Sequence, residues 1–375
     1  MNSGFYLTLM IGPVVPVAVS QEVLDALTSV SVTTNSDSGS GFQLEFTLSN
    51  RSPLQTIFLL SSGASIPLVR VLIIVTVNGK AEVLMDGVIT NHEIRPGADV
   101  SHSVLTVTGE DLSRVMDYID FSGFPFPAMP PEARVGLILL KYSFLGMVPL
   151  VIPSVLIDIP IPTDRIPVQQ GKDLAYIRAL ADEVGYVFYV NPGPEPGMSV
   201  AYWGPEIKVG EPQKALSINM DAATNIENVS CSFNSQGAVL PVVYIQNQQT
   251  HVPIPVPIPD ISPLNPPLGL IPPIPLNSEP VNESAKYSPI RAALIGLTKA
   301  ARSAEAVTAT GSLNVVRYGA VLKARRLVGL RGVGEAFDGL YYVKSVTSKI
   351  KRGEFKQDFT LTRNGLISTF SKVPA

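Results

Sequence analysis

A single cysteine, Cys231, among 375 residues leaves no partner for an internal disulfide and no thiolate cluster for a metal. Flanked by Val229 and Phe233 in a strand-like alternation, it reads as a buried apolar cysteine. Histidine is nearly as scarce, at three residues: His92, His102 and His251. His92 and His102 fall on neighbouring strand candidates either side of Pro96-Gly97, but no third ligand stands at a metal-binding spacing. They read as ordinary sheet histidines. No G-x-S-x-G elbow is present, and no nucleophile is paired with a base. Asp182 and Glu183 fall on the polar side of a helical pattern and read as solvated, with no sign of the opposed carboxylates a glycosidase needs. The sequence therefore predicts no catalytic residue, no metal ligand and no cofactor.

Charge is also short: 16% of residues are charged against 46% apolar, with a formal net charge of -3. That balance excludes a general phosphate-gripping surface. The one basic cluster, Lys323, Arg325, Arg326 and Arg331, reads as a solvated loop or a subunit-interface patch. Long clean apolar runs are missing as well. Residues 135–156 are interrupted by Lys141, Pro149 and Pro153, and residues 54–77 by Ser61, Ser62, Pro67 and Arg70. Neither supplies the roughly 20 apolar residues of a spanning helix, and the N-terminus lacks a basic n-region. High apolar content without a span predicts a subunit that buries surface against its neighbours rather than one stably inserted in a membrane.

What is present is mostly β. Phe42, Leu44, Phe46 and Leu48 alternate with Gln43, Glu45 and Thr47, the period of a half-buried strand. Residues 68–77 form a second strand, apolar on both faces and hence central or at an interface. Asn78-Gly79 follows as a hairpin signal, and Asp86-Gly87 and Pro96-Gly97 mark further turns before a strand at 103–108 and a short helix at 112–119. Such spacing describes a barrel or sandwich. Residues 121–166 read as an irregular, apolar, proline-rich connector. Residues 167–206 carry a helix with Leu174, Ile177, Leu180, Ala181 and Val184 on one side, stopped by Gly185, then a hairpin turning at Asn191-Pro192-Gly193. This module is too small to stand alone and must pack on something larger. Strand character resumes at 215–220, 228–233 and 242–246. Proline in the arm 252–280 argues against helix and ladder pairing, and its Ile, Val and Leu residues favour docking on a neighbouring subunit over a free linker. A helix is expected at 290–304, and strands at 311–316, 321–324, 339–350 and 355–363. Gly329, Gly332 and Gly334 form a glycine-rich turn between strands, not a dinucleotide loop.

Four stretches in order carry a resemblance. They are VLMDGVITNHEI (83–94) with LTVTGEDLSRVMD (105–117), GKDLAYIRALADEVGYVFYV (171–190), SINMDAATNIENVSCSF (217–233) and GLYYVKSVTSKIKRGEFKQDFTLTRNGLIS (339–368). Together the chain resembles the baseplate hub proteins of contractile phage tails and related injection systems, the late control protein D or VgrG-hub-like family. The resemblance implies a mainly β protein with small α+β parts and two tube-like β-barrel domains. The first would be residues 1–120, completed by strands from 215–240. The second would be residues 207–375 with the arm 252–280. It further implies a homotrimer with a pseudo-sixfold ring joining a sixfold tail tube to a threefold spike. The implied partners are tail-tube subunits, other baseplate proteins and a separate trimeric spike protein, since only a short stretch follows residue 363 and cannot build a spike. The genome would pass the channel without specific binding. The particle would be a virion tail baseplate or injection particle assembled in the bacterial cytoplasm. The arm and the insert 124–162 depart from the family pattern. An alternative from another class stays open: a secreted β-rich binding protein or hydrolase whose site the sequence does not display.

Overall fold

In the computed structural model of the chain, residues 4–36, 39–48, 68–97, 103–154, 166–246, 253–257, 266–281 and 289–370 are described. The chain opens with β1 (Phe5–Pro13), β2 (Val17–Ala18), a short helix α1 (Gln21–Ala26), β3 (Leu27–Asn35), β4 (Gly41–Leu48), β5 (Val69–Val77), β6 (Lys80–Arg95) and β7 (Ser103–Asp111). On β4 the alternation is obeyed: Phe42, Leu44, Phe46 and Leu48 are buried. β5 is buried on both faces, with β1 and β6 along its two edges. Asn78 and Gly79, at φ 50° and 81°, make the tight β5–β6 turn that right-handed strand twist requires. Asp86-Gly87, expected to turn, lies inside the continuous strand β6. At this point β6 exchanges β5 for β7 as partner. A Cβ on Gly87 would stand 2.3 Å from the Glu110 carbonyl oxygen, so the crossing needs glycine. The expected helix at 112–119 is a 3-10 segment, Leu112–Asp117, capped by the Asp111 carboxylate, which accepts from the Ser113 amide.

The connector is more regular than its proline content suggests. It contains α2 (Pro131–Leu140) and the edge strand β8 (Met147–Val151). Pro130 and Pro131 stand at the helix start, where no intrahelical N–H is lost, and Pro149 stands on an edge strand, where a missing donor is tolerated. Then come α3 (Asp173–Val184), ended by Gly185 at φ 72°, β9 (Val187–Pro192) and β10 (Ser199–Gly204). The order β8-β10-β9 makes a small sheet. Val135, Ile138, Ile177, Leu180 and Trp203 pack between it and the two helices as a core of their own, which also takes in Val88 of β6.

The remainder holds β11 (Gln213–Ser217), β12 (Ile226–Phe233), β13 (Val239–Gln246), β14 (Pro253–Pro257), β15 (Gly269–Ile271), β16 (Asn277–Pro280), α4 (Pro289–Ser303), β17 (Val307–Asn314), a single turn α5 (Val315–Tyr318), β18 (Leu327–Arg331), β19 (Gly339–Lys351), β20 (Glu354–Arg363) and β21 (Leu366–Ser368). Three expectations change here. Residues 321–324 form a loop, whose Leu322 amide and carbonyl are both bound by the side chain of buried Gln357 on β20. Residues 327–331 are a strand, and the glycine turn follows it. The proline arm does join ladders: β14 and β16 flank β13, and β15 pairs β21. Prolines at 253, 255 and 257 alternate, so the missing donors all point away from β13 while Ile254 and Val256 keep theirs toward it.

Thirteen strands form one sheet. Its N-terminal lobe runs β3-β4-β7-β6-β5-β1 and its C-terminal lobe runs β12-β17-β20-β19-β18-β11. Strand for strand, in chain order, these are the same arrangement twice. The copies differ at the end: β1 lies antiparallel to β5, whereas β11 lies parallel to β18. The strands at 213–217 and 226–233, expected to complete the first barrel, pair instead with β18 and β17 of the C-terminal lobe. Pairing of β3 with β19 splices the lobes. They share one core, in which Phe5 and Phe355 meet at 5.5 Å. Two closed barrels were expected; among the described residues the strand path is open, because β3 spends its second edge on the other lobe.

Candidate functional site

Two clusters of buried polar groups tie elements of the fold together. Arg70 on β5 and Asp86 on β6 are both buried, and the guanidinium donates to the two carboxylate oxygens at 2.7 Å each. Arg70 also donates to the carbonyls of Val14 at 3.0 Å and Gly197 at 2.9 Å, and Ser199 donates to Asp86 at 2.9 Å. One ion pair thus fastens the β9–β10 hairpin to the large sheet. The carboxylate beside Ser199 is engaged by two Arg70 nitrogens, and among the described residues no histidine joins it. Buried Asp173 at the start of α3 is likewise consumed by Tyr142, Gln169 and Lys141.

Arg325 extends over the Tyr189 ring at 4.1 Å and donates to the Asn191 side chain and the Asn35 carbonyl. Lys323 pairs with Glu82. Half of the basic cluster read from sequence therefore ties the C-terminal lobe to the N-terminal lobe and the module. Glu305 takes Lys208 at 2.6 Å and Lys344 at 2.9 Å. Burial alone would raise its pKa, but the two ammonium groups outweigh that and hold it below the usual carboxylate range.

Of the histidines, His92 lies half-buried on β6, while His102 and His251 fall outside the described residues. Among the described residues no group of three His, Cys, Asp or Glu side chains could hold a metal ion. Asp182 is exposed, as expected, and Cys231 is half-buried rather than buried. A cleft of about 660 Å³ opens between the small sheet and the large one, lined by Val83, Leu150, Tyr202 and Val321 among others. Its Glu82 is neutralised by Lys80 and Lys323. No helix among the described residues is long and apolar enough to cross a membrane.

The broadest chemical feature is one face of the large sheet. Register aligns Asn228, Ser312, Asp358, Thr347 and Thr33 across five strands. A second row aligns Ser31, Gln43, Thr108 and Asn91, and a third Ser29, Glu45, Thr106 and Glu93. These side chains bond sideways along the rows: Asn228 to Ser312 at 2.7 Å, Ser29 to Glu45 at 2.7 Å, Thr33 with Thr347 at 3.1 Å. Several charges on this face are paired locally, Lys349 with Asp358, Lys356 with Glu227 and Glu354, and Arg95 with Glu93. The result is a polar wall crossing both lobes, which among the described residues carries no basic stripe or row of exposed aromatic rings of the kind that grips a nucleic acid. Sequence alternation revealed the polar side of β4. It could not reveal that β3 and β19 join the polar sides of the two lobes into one surface.

No family model matches the chain, and no curated protein matches it. Solved structures do. A tail protein from Neisseria meningitidis MC58 superposes with a TM-score of 0.60 at 12% identity, covering 97% of this chain and 98% of that one. The 43 kDa tail protein of prophage MuSo2 from Shewanella oneidensis gives 0.59 at 13% identity, covering 96% and 98%. An E. coli component of the type VI secretion system, described as similar to the T4 bacteriophage tail proteins gp27 and gp5, gives 0.52 at 11% identity over 93% and 76%. At such identities the likeness is one of fold: mainly β, and shared nearly end to end with phage tail proteins.

Proposed function

We propose that the chain is the structural hub of a contractile tail or related injection machine. It forms a trimeric ring that joins a sixfold tail tube to a separate threefold spike and lines the central channel. The internal duplication carries this reading. Three copies of a chain with two like lobes present six like units, the arrangement needed where threefold and sixfold structures meet. A fold held in common with tail proteins over nearly the full chain supports it. The continuous polar face suits a channel wall past which a genome slides without being held.

The ends of the ring take tail-tube subunits on one side and the spike on the other, within a virion tail or injection particle. The proline arm, with Leu270, Ile274 and Leu276 strongly exposed, docks on a neighbouring chain. On this reading the chain has no catalytic activity of its own. Cryo-electron microscopy of the particle tests it: three copies of the chain between tube and spike, polar faces inward, are expected. Particles in which the chain lies outside the tail axis, or peptidoglycan cleavage by the purified chain, would defeat it.

A further inference from the structure

The duplication extends to individual register shifts. β3 has one between Leu27 and Ser29 against β4, and β12 has one between Ile226 and Asn228 against β17. β6 has one between Ile89 and Asn91 against β7, and β19 has one between Val343 and Ser345 against β20. The lobes can therefore be aligned residue by residue. Val32 corresponds to Cys231 and Val30 to Val229; Ser348 corresponds to Ile94 and Val346 to His92.

Within the chain, the second edge of β19 is covered by β3, with Ser348 opposite Val32 and Lys349 opposite Ser31. In the N-terminal lobe the corresponding edge is residues 91–95 of β6. Among the described residues this stretch pairs with β7 alone, since β5 reaches only to Val88. In the C-terminal lobe the strand corresponding to β3 is β12, which among the described residues pairs with β17 alone. Burial follows the same division. Val30 and Val32 are 2% exposed at the internal splice. Their counterparts Val229 and Cys231 are only half-buried, and Ile94 is 48% exposed where its counterpart Ser348 is 3% exposed.

The geometry points to head-to-tail strand addition between copies of this chain: β12 of one subunit pairs with residues 91–95 of β6 in the next, repeating the internal β3–β19 splice. The transferred register puts Cys231 opposite Ile94, Ser230 opposite Arg95 and Ser232 opposite Glu93. Ile94 is thereby covered, and so are Val229 and Cys231. A head-to-tail contact closes into a ring when its rotation permits. That it closes at three chains rests on the hub reading above.

The lone native cysteine makes this testable in the full-length protein. Directly opposed residues of antiparallel strands have Cα atoms about 4.5–5.5 Å apart, within disulfide reach. Under mild oxidation Ile94→Cys is expected to give a reducible covalent ladder ending at three chains. That ladder should vanish when Cys231→Ser is added. Glu93→Cys, which projects from the other face, should give none. Ile94→Asp should convert the trimer to monomer in sedimentation with its thermal transition unchanged. A trimer that shows no 94–231 link, or that persists in Ile94→Asp, overturns the edge assignment and leaves the hub reading standing. A wild-type chain that is monomeric both in solution and in isolated particles overturns both.

Discussion

Arg70 is buried, and its guanidinium donates to two carboxylate oxygens and two backbone carbonyls. Arg70→Ala leaves the Asp86 carboxylate buried and uncompensated, and a cost of about 3–5 kcal/mol is expected in urea unfolding. Replacing both by Met and Leu should cost less than the single change, because no charge is stranded. Glu305 gives a pH signature. Its folded pKa lies below the unfolded value of about 4.3. The stability it lends is therefore complete above that value and is lost as pH falls through the lower folded one. Glu305→Gln should flatten this acid limb in denaturation midpoints taken across the acidic range. At this scale the sequence was half legible. Arg70 was visible as the charge interrupting an apolar run, and a charge in such a strand demands a buried partner. Its partner Asp86 was hidden by the Asp-Gly pair, which reads locally as a turn and is in fact the crossing point of a long strand.

The elements were read best where period and punctuation agree. α3 with its Gly185 stop, and the β19–β20 hairpin around Gly353, stand where expected. α2 was missed because its two prolines were weighed by density rather than position, although Pro130 is the N-cap and Pro131 the first helical residue, where proline is tolerated. The arm was misread for a related reason: proline on alternate residues spares every donor on one edge. If the arm docks on a neighbouring chain as proposed, its exposed apolar side chains bear on assembly rather than on stability. Changing Leu270, Ile274 and Leu276 together to Ser should shift unfolding by no more than about 0.5 kcal/mol per site. The same change should sharply reduce incorporation into particles, counted by quantitative blotting. Normal incorporation would show the arm to be dispensable.

On the scale of the molecule, alternation predicted β lobes, but which edges meet depends on pairings hundreds of residues apart that no local pattern encodes. β3 against β19 is such a pairing. Since the lobes share one core, calorimetry should show the two lobes melting together in one transition. A chain ending at residue 206 should aggregate, having exposed Val30, Val32 and a long open edge.

The splice between β3 and β19 also bears on the kinetics of ring formation. Because both strands belong to one polypeptide, every second seam of the proposed ring is supplied at a local concentration that dilution cannot lower. Of the six seams, three form in this way during folding. Of the three seams between chains, all but the last require encounters between separate molecules. The last of these is again unimolecular, since it closes an open row on itself. A hub cut between its lobes would face six such seams, five of them by collision, and should assemble far more slowly at equal mass.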